Sequence, residues 1–145
     1  MKITEHFTEE EMTLSQTAVR NGLDNNPSEQ EKQNLNWLCV KILEPVRHHK
    51  GPVLITSGYR GPELNKMIGG SSTSQHCHGQ AADIIVPAMN TEELFQWIVN
   101  DTSLPFDQCI QEFGRWVHIS YSRDKQRKQA LRAVRGSKGV EYLPA

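Results

Sequence analysis

Ser74-Gln75-His76-Cys77-His78-Gly79-Gln80-Ala81-Ala82-Asp83 carries the densest group of side chains able to do chemistry. Two imidazoles and a carboxylate fall within this one stretch. Neutral imidazole and carboxylate are zinc ligands, and a catalytic zinc takes three protein ligands while keeping one position open for water. Gly79 lets the chain turn between a loop-borne His76 and an Asp83 seated on a strand. The third ligand has to come from elsewhere, and Trp116-Val117-His118-Ile119-Ser120 offers one, a histidine inside an apolar alternating segment. Alone, a strand histidine reads as structural; beside His76 and Asp83 it reads as a ligand. A second arrangement uses the same chemistry: His76-x-His78 as a ligand pair on one extended segment, completed by His118.

The elements that must position these groups follow from punctuation and periodicity. Thr8 with Glu11 and Ser28 with Glu31 are capping-box patterns, each opening a helix. Asn21 to Pro27 is a breaker cluster between them. Leu35, Leu38, Ile42 and Val46 recur at helical spacing and predict the main core helix over about 28–49, with Pro45 inside it either kinking it or loosening its last turn. Val53-Leu54-Ile55-Thr56 predicts a strand, and Gly58 to Gly70 a loop with a short helix around Pro62–Met67. The polar, glycine-rich run from Gly69 to Gly79 suits a site rather than a core. Ala81 to Val86 reads as a buried strand stopped by Pro87, and Thr91 opens a helix through Val99. Residues 107–113 and 116–121 read as a hairpin, and about 127–143 as one or two edge strands. Together they predict one α+β domain spanning 1–145, with a mainly antiparallel sheet and flanking helices.

A chain of 145 residues suits one domain with a real core. No apolar run approaches the ~18 residues that span a bilayer, so no membrane insertion is expected. Met1 to Met12 lacks the apolar centre of a secretory signal, which predicts synthesis into a cytosol. Cys39, Cys77 and Cys109 are scattered and contain no Cys-x-x-Cys pair, so they are expected as reduced thiols. The net charge of -1 is unevenly spread, with a basic tract from Arg115 to Lys138. Such a tract can seek phosphate, but its plainer reading is a solvated strand face and loop. Nucleic acid is therefore not an expected partner, and the protein is expected to be a monomer.

Ser57-Gly58-Tyr59-Arg60, Leu64-Asn65, Gly69-Gly70, Ser74-x-His76-x-x-Gly79-x-Ala81-x-Asp83 and Trp116-Val117-His118 together resemble the zinc D-Ala-D-Ala carboxypeptidase family. That family includes L-alanyl-D-glutamate endopeptidases and several phage endolysins, and the resemblance runs from about Leu35 to Ser120. It implies a fold like that of the Hedgehog domain and the D-Ala-D-Ala peptidases, with zinc on His76, Asp83 and His118. It favours Asp83 over His78 as ligand, and puts Arg60 near the substrate.

One departure matters. Many members carry a catalytic glutamate three residues before the last histidine, where this chain has Arg115. Glu112, six residues before His118, matches the spacing of the Hedgehog zinc site. If Phe113-Gly114-Arg115 is a three-residue loop, Glu112 faces Trp116 and shares the face of His118. A two-residue loop would aim it away, leaving Asp107 as the weaker substitute.

The expected roles are Glu112 as general base, Arg60 on the oxyanion or a substrate carboxylate, and Ser74 and Gln75 hydrogen-bonded to the peptide. The expected activity is hydrolysis of peptidoglycan stem peptides, by a carboxypeptidase or an endopeptidase. The rival expectation is a zinc-stabilised wall-binding module without catalysis. A wall substrate joined to cytosolic synthesis predicts a phage lysis enzyme, stored in the host cytosol and released when its membrane opens.

Overall fold

The computed structural model describes Met1–Ala145. Two short helices, α1 (Glu9–Thr13) and α2 (Gln16–Arg20), lead into α3 (Glu29–Leu38). Both capping boxes form: Thr8 and Glu11 close α1, and Ser28 and Glu31 close α3. Each satisfies two backbone N–H groups that a helix start leaves open.

The predicted single helix over 28–49 is divided. A π-helical turn, Cys39–Leu43, separates α3 from α4 (Glu44–Lys50). Pro45 has no N–H for the carbonyl of Lys41. The chain widens just before it, with the Glu44 N–H reaching back to the Cys39 carbonyl. The disturbance thus falls just before Pro45, as a widened π-helical turn.

The rest of the chain alternates: β1 (Leu54–Ser57), α5 (Pro62–Met67), a 3₁₀ turn (Gln75–His78), β2 (Ala81–Ile85), α6 (Thr91–Asp101), β3 (Gln108–Glu112), β4 (Trp116–Ser120), β5 (Gln129–Gly136) and β6 (Gly139–Pro144). The strands form one six-stranded sheet in the order β1-β2-β4-β3-β5-β6. All neighbours are antiparallel except β3 and β5, which run parallel. The architecture is α+β, as expected. No helix is long and apolar enough to cross a membrane.

The two faces of the sheet have different fates. Ala82, Ile84, Cys109, Val117 and Ile119 are buried and join a core with Leu35, Leu38, Ile42, Val46, Leu94, Phe95 and Ile98. The other face carries Asp83, His118, Ile110 and Leu131 in one register row. The next row on that face is Trp116, Glu112, Ala133 and Tyr142. One face is thus the floor of the molecule's core, and the other is the floor of its site.

Candidate metal centre

A groove of about 830 Å³ lies over this second face, lined by Arg60, Ser74, Gln75, His76, Glu112 and His118 among others. The 3₁₀ turn brings His76 to it. Ser74 caps the turn, its Oγ accepting from the His76 N–H at 3.2 Å. Gly79 ends the turn at φ 71°, where a side chain is strained, and a Cβ there would stand 2.5 Å from the Glu31 carbonyl oxygen. The turn is therefore pressed against α3, as the glycine hinge predicted.

His76 Nε2, Asp83 Oδ1 and His118 Nδ1 form a nearly equilateral triangle, with sides of 3.2, 3.2 and 3.1 Å. Tetrahedral zinc with bonds near 2.05 Å separates its ligands by about 3.3 Å, so the triangle has the size of one tetrahedral face.

The donor chemistry also suits a cation. His76 Nδ1 lies 2.7 Å from the Gly58 carbonyl oxygen, which only accepts, so the proton of a neutral ring sits on Nδ1. The ring is 2% exposed, and burial lowers its pKa, which keeps it neutral. Nε2 then points a lone pair at a carboxylate oxygen 3.2 Å away. Two acceptors at that distance repel unless a positive charge lies between them. A backbone carbonyl that fixes the tautomer of a metal-binding imidazole is a recurrent outer-sphere device.

Asp83 is 5% exposed. Its second oxygen faces Arg60, with Nη2 at 3.5 Å from Oδ2. Arg60 is itself fixed, Nε donating to Ser57 Oγ and Nη1 to Asn65 Oδ1, both at 3.2 Å. It thus steadies a donor of the triangle while lining the groove.

Glu112 reaches the groove through the turn geometry. The loop is Phe113-Gly114-Arg115, with Glu112 paired to Trp116 and the Arg115 N–H bonded to the Glu112 carbonyl at 3.0 Å. Phe113 and Gly114 have φ of 59° and 69°, the positive values of a tight hairpin turn. Phe113 tolerates this because its N–H is held by the Ala133 carbonyl, while its ring packs edge-on to Trp116. The odd-length loop places Glu112 diagonally across from His118, at a typical separation of about 7–8 Å. That leaves room for a water and a carbonyl between them. Trp116 Nε1 donates to Glu112 Oε1 at 2.9 Å, which orients the carboxylate and leaves Oε2 free. Burial, then the Asp83 charge, raises the Glu112 pKa above its ordinary value.

Other candidates are placed differently. Asp107 is fully buried and saturated by the Arg127 guanidinium at 2.7 and 3.0 Å, the Arg127 N–H at 3.1 Å and Gln75 Nε2 at 3.0 Å. It has no free oxygen for proton transfer. Gln75 lines the groove, its Nε2 donating one hydrogen bond to Asp107 while its Oε1 has no hydrogen-bond partner. His78 is exposed and lies outside the triangle.

The basic tract is largely spent on local partners. Arg127 pairs with Asp107 and Arg132 with Glu92, while Arg123 lies over Trp37 and Arg135 over Phe113. Cys39, Cys77 and Cys109 are free thiols.

Spacing singled out His76 and His118 and left Asp83 and His78 as alternatives, between which the resemblance favoured Asp83. Spacing did not reveal Gly58, whose contribution is a backbone carbonyl, nor Tyr142, which lines the groove from the last strand. No curated protein matches the chain. A family model described as Peptidase M15 matches residues 5–120. That stretch contains the whole donor triangle together with Arg60 and Glu112, and the chain belongs to the M15 peptidases, the zinc D-Ala-D-Ala carboxypeptidase family.

Proposed function

We propose that this protein is a zinc-dependent peptidase that hydrolyses a peptide bond in peptidoglycan stem peptides, with His76, Asp83 and His118 as the metal ligands. The observation that carries the reading is the triangle of His76 Nε2, Asp83 Oδ1 and His118 Nδ1 at the base of an open groove, with a free carboxylate oxygen on the same sheet face. When bound there, zinc supplies Lewis acidity, polarising the scissile carbonyl and lowering the pKa of water at its open position.

The chain's own groups do the rest. Glu112 Oε2 takes a proton from the attacking water as the water oxygen bonds to the carbonyl carbon. When the C–N bond breaks, Glu112 returns that proton to the leaving amine. Its raised pKa suits this double duty, because a carboxyl that holds a proton more readily is a better acid in the second step. Trp116 keeps the carboxylate from turning away. The Arg60 guanidinium holds Asp83 and faces the groove, where it steadies negative charge on the substrate. Ser74 lines the same groove and is available to the peptide backbone.

Wall degradation of the kind carried out by phage endolysins belongs to the same proposal. The test is mass spectrometry of purified muropeptides after digestion, with chelator and after zinc is restored. Release of an amino acid or peptide from the stem, lost on chelation and regained with zinc, is the expected result, and it identifies the bond. Zinc-loaded protein that binds muropeptides without ever cutting them would move the reading to a wall-binding module.

A further inference from the structure

The family model ends at Ser120, yet the groove does not. Residues 121–145 add β5, parallel to β3, and then β6 as the outermost strand. Most of β6 is solvent-exposed, so it contributes little to the core. One of its side chains, Tyr142, lines the groove together with Glu112 and His118.

The register explains how an outer strand reaches inward. Trp116, Glu112, Ala133 and Tyr142 occupy one row across four strands on the site face. The residue between Glu112 and Tyr142 is an alanine, too small to separate them. Ala133 is nonetheless fully buried, so its larger neighbours close over it. The surroundings of the phenol agree with this placement: burial, then the Glu112 and Asp83 carboxylates, raises its pKa, with Arg60 opposing. At neutral pH it therefore keeps its proton and is a donor. A donor facing two carboxylates is suited to a neutral acceptor rather than to another anion.

We propose that Tyr142, outside the family-matched stretch, is a substrate-binding residue of the groove, its ring forming the wall beside Glu112 and its hydroxyl donating to a backbone carbonyl of the bound peptide. The inference rests on the peptidase reading and deepens it. The C-terminal hairpin then completes the binding site instead of merely extending the sheet. Because Tyr142 is 54% exposed on an edge strand, its replacement leaves the core untouched.

The test uses the zinc-loaded full chain carrying Glu112→Gln, which slows cleavage, and a soluble muropeptide with an intact stem as the probe. Its dissociation constant is measured by calorimetry, with mass spectrometry showing that the probe survives. Tyr142→Phe in this background should weaken binding about three- to tenfold, the scale of one hydrogen bond. Tyr142→Ala should weaken it further, because the ring contact is lost as well. Zinc content and melting temperature should match the parent in both variants. An unchanged dissociation constant in Tyr142→Phe overturns the inference while leaving the peptidase reading in place. A zinc-loaded parent, Tyr142 intact, that does not bind the muropeptide overturns both.

Discussion

Replacing Glu112 by glutamine removes one function and little else. The carboxamide has the shape of the carboxylate, and its oxygen can still accept the Trp116 Nε1–H that now reaches Glu112 Oε1 at 2.9 Å. The atom lost to chemistry is Oε2, the free acceptor. General acid–base catalysis contributes about 10²- to 10⁴-fold, so turnover should fall at least about 10²-fold, or about 2.7 kcal/mol of barrier. Zinc content should stay at one per chain, because Glu112 lies outside the donor triangle.

Stability separates this from a folding defect. In the metal-free protein the Glu112 carboxyl has a raised pKa, first by burial and then by Asp83. A raised acid disfavours its own ionised form in the folded state, so its ionisation costs stability above the folded pKa and nothing below the unfolded value of about 4.3. Metal-free Glu112→Gln should therefore melt no lower than the parent at pH 7, and the two should converge near pH 4. Stem-peptide release followed by mass spectrometry, beside elemental analysis and thermal melts, reads all three quantities. Near-normal turnover with zinc bound would refute the assignment of the base.

Three other perturbations test different parts. His118→Ala should lose bound zinc, and its melting temperature should no longer respond to chelator; full zinc occupancy in that variant would contradict the triangle. Arg60→Lys keeps the charge but cannot reproduce the contacts to Asp83, Ser57 and Asn65, so activity or zinc affinity should fall about 10- to 100-fold, as for outer-sphere partners of metal ligands. Asp107→Asn should cost about 1–3 kcal/mol by leaving Arg127 poorly paired. Burial opposes it, but the Arg127 contacts hold the Asp107 carboxyl below its ordinary value, so its contribution is present above about pH 4 and lost as pH falls through the folded value. The gap between Asp107→Asn and parent melts should therefore be wide at pH 7 and close in acid.

The donors were legible because metal chemistry restricts both residue type and spacing. His76 and His118 stand out with no knowledge of the fold, whereas the choice of Asp83 over His78 needed the family resemblance, and the structure groups Asp83 with them. Glu112 was legible only conditionally, since its direction depends on whether the loop after it has two or three residues. The structure has three, and the side chain falls on the site face.

What the sequence hid depends on backbone geometry and distant contacts. Pro45 announced a disturbance, but its form, a π turn over Cys39–Leu43, is a matter of backbone hydrogen bonding that residue types alone do not fix. Helix α2 has a Ser15 cap and little apolar rhythm, too short a signal to stand out. The tail read correctly as strands, but not the parallel pairing of β5 with β3, which depends on where the bend at Ser122–Lys125 sends the chain. Nor did the sequence show that Asp107, a distant residue, accepts one hydrogen bond from the Gln75 carboxamide.

The orienting carbonyl of His76 belongs to a residue that is itself clamped. A Cβ at Gly58 would stand 2.2 Å from the Met12 carbonyl oxygen, and that same oxygen accepts the Tyr59 N–H at 2.7 Å. The path from α1 to the imidazole is thus two hydrogen bonds long and almost wholly main chain. Thermodynamic linkage makes such a path reciprocal. Whatever free energy a metal gains from a correctly aimed His76 is also free energy that resists lifting α1 from the loop it covers. The first helix, far from the groove in sequence and without a side chain in it, therefore shares in the affinity of the centre, and its fraying would be felt there as a loosened ligand.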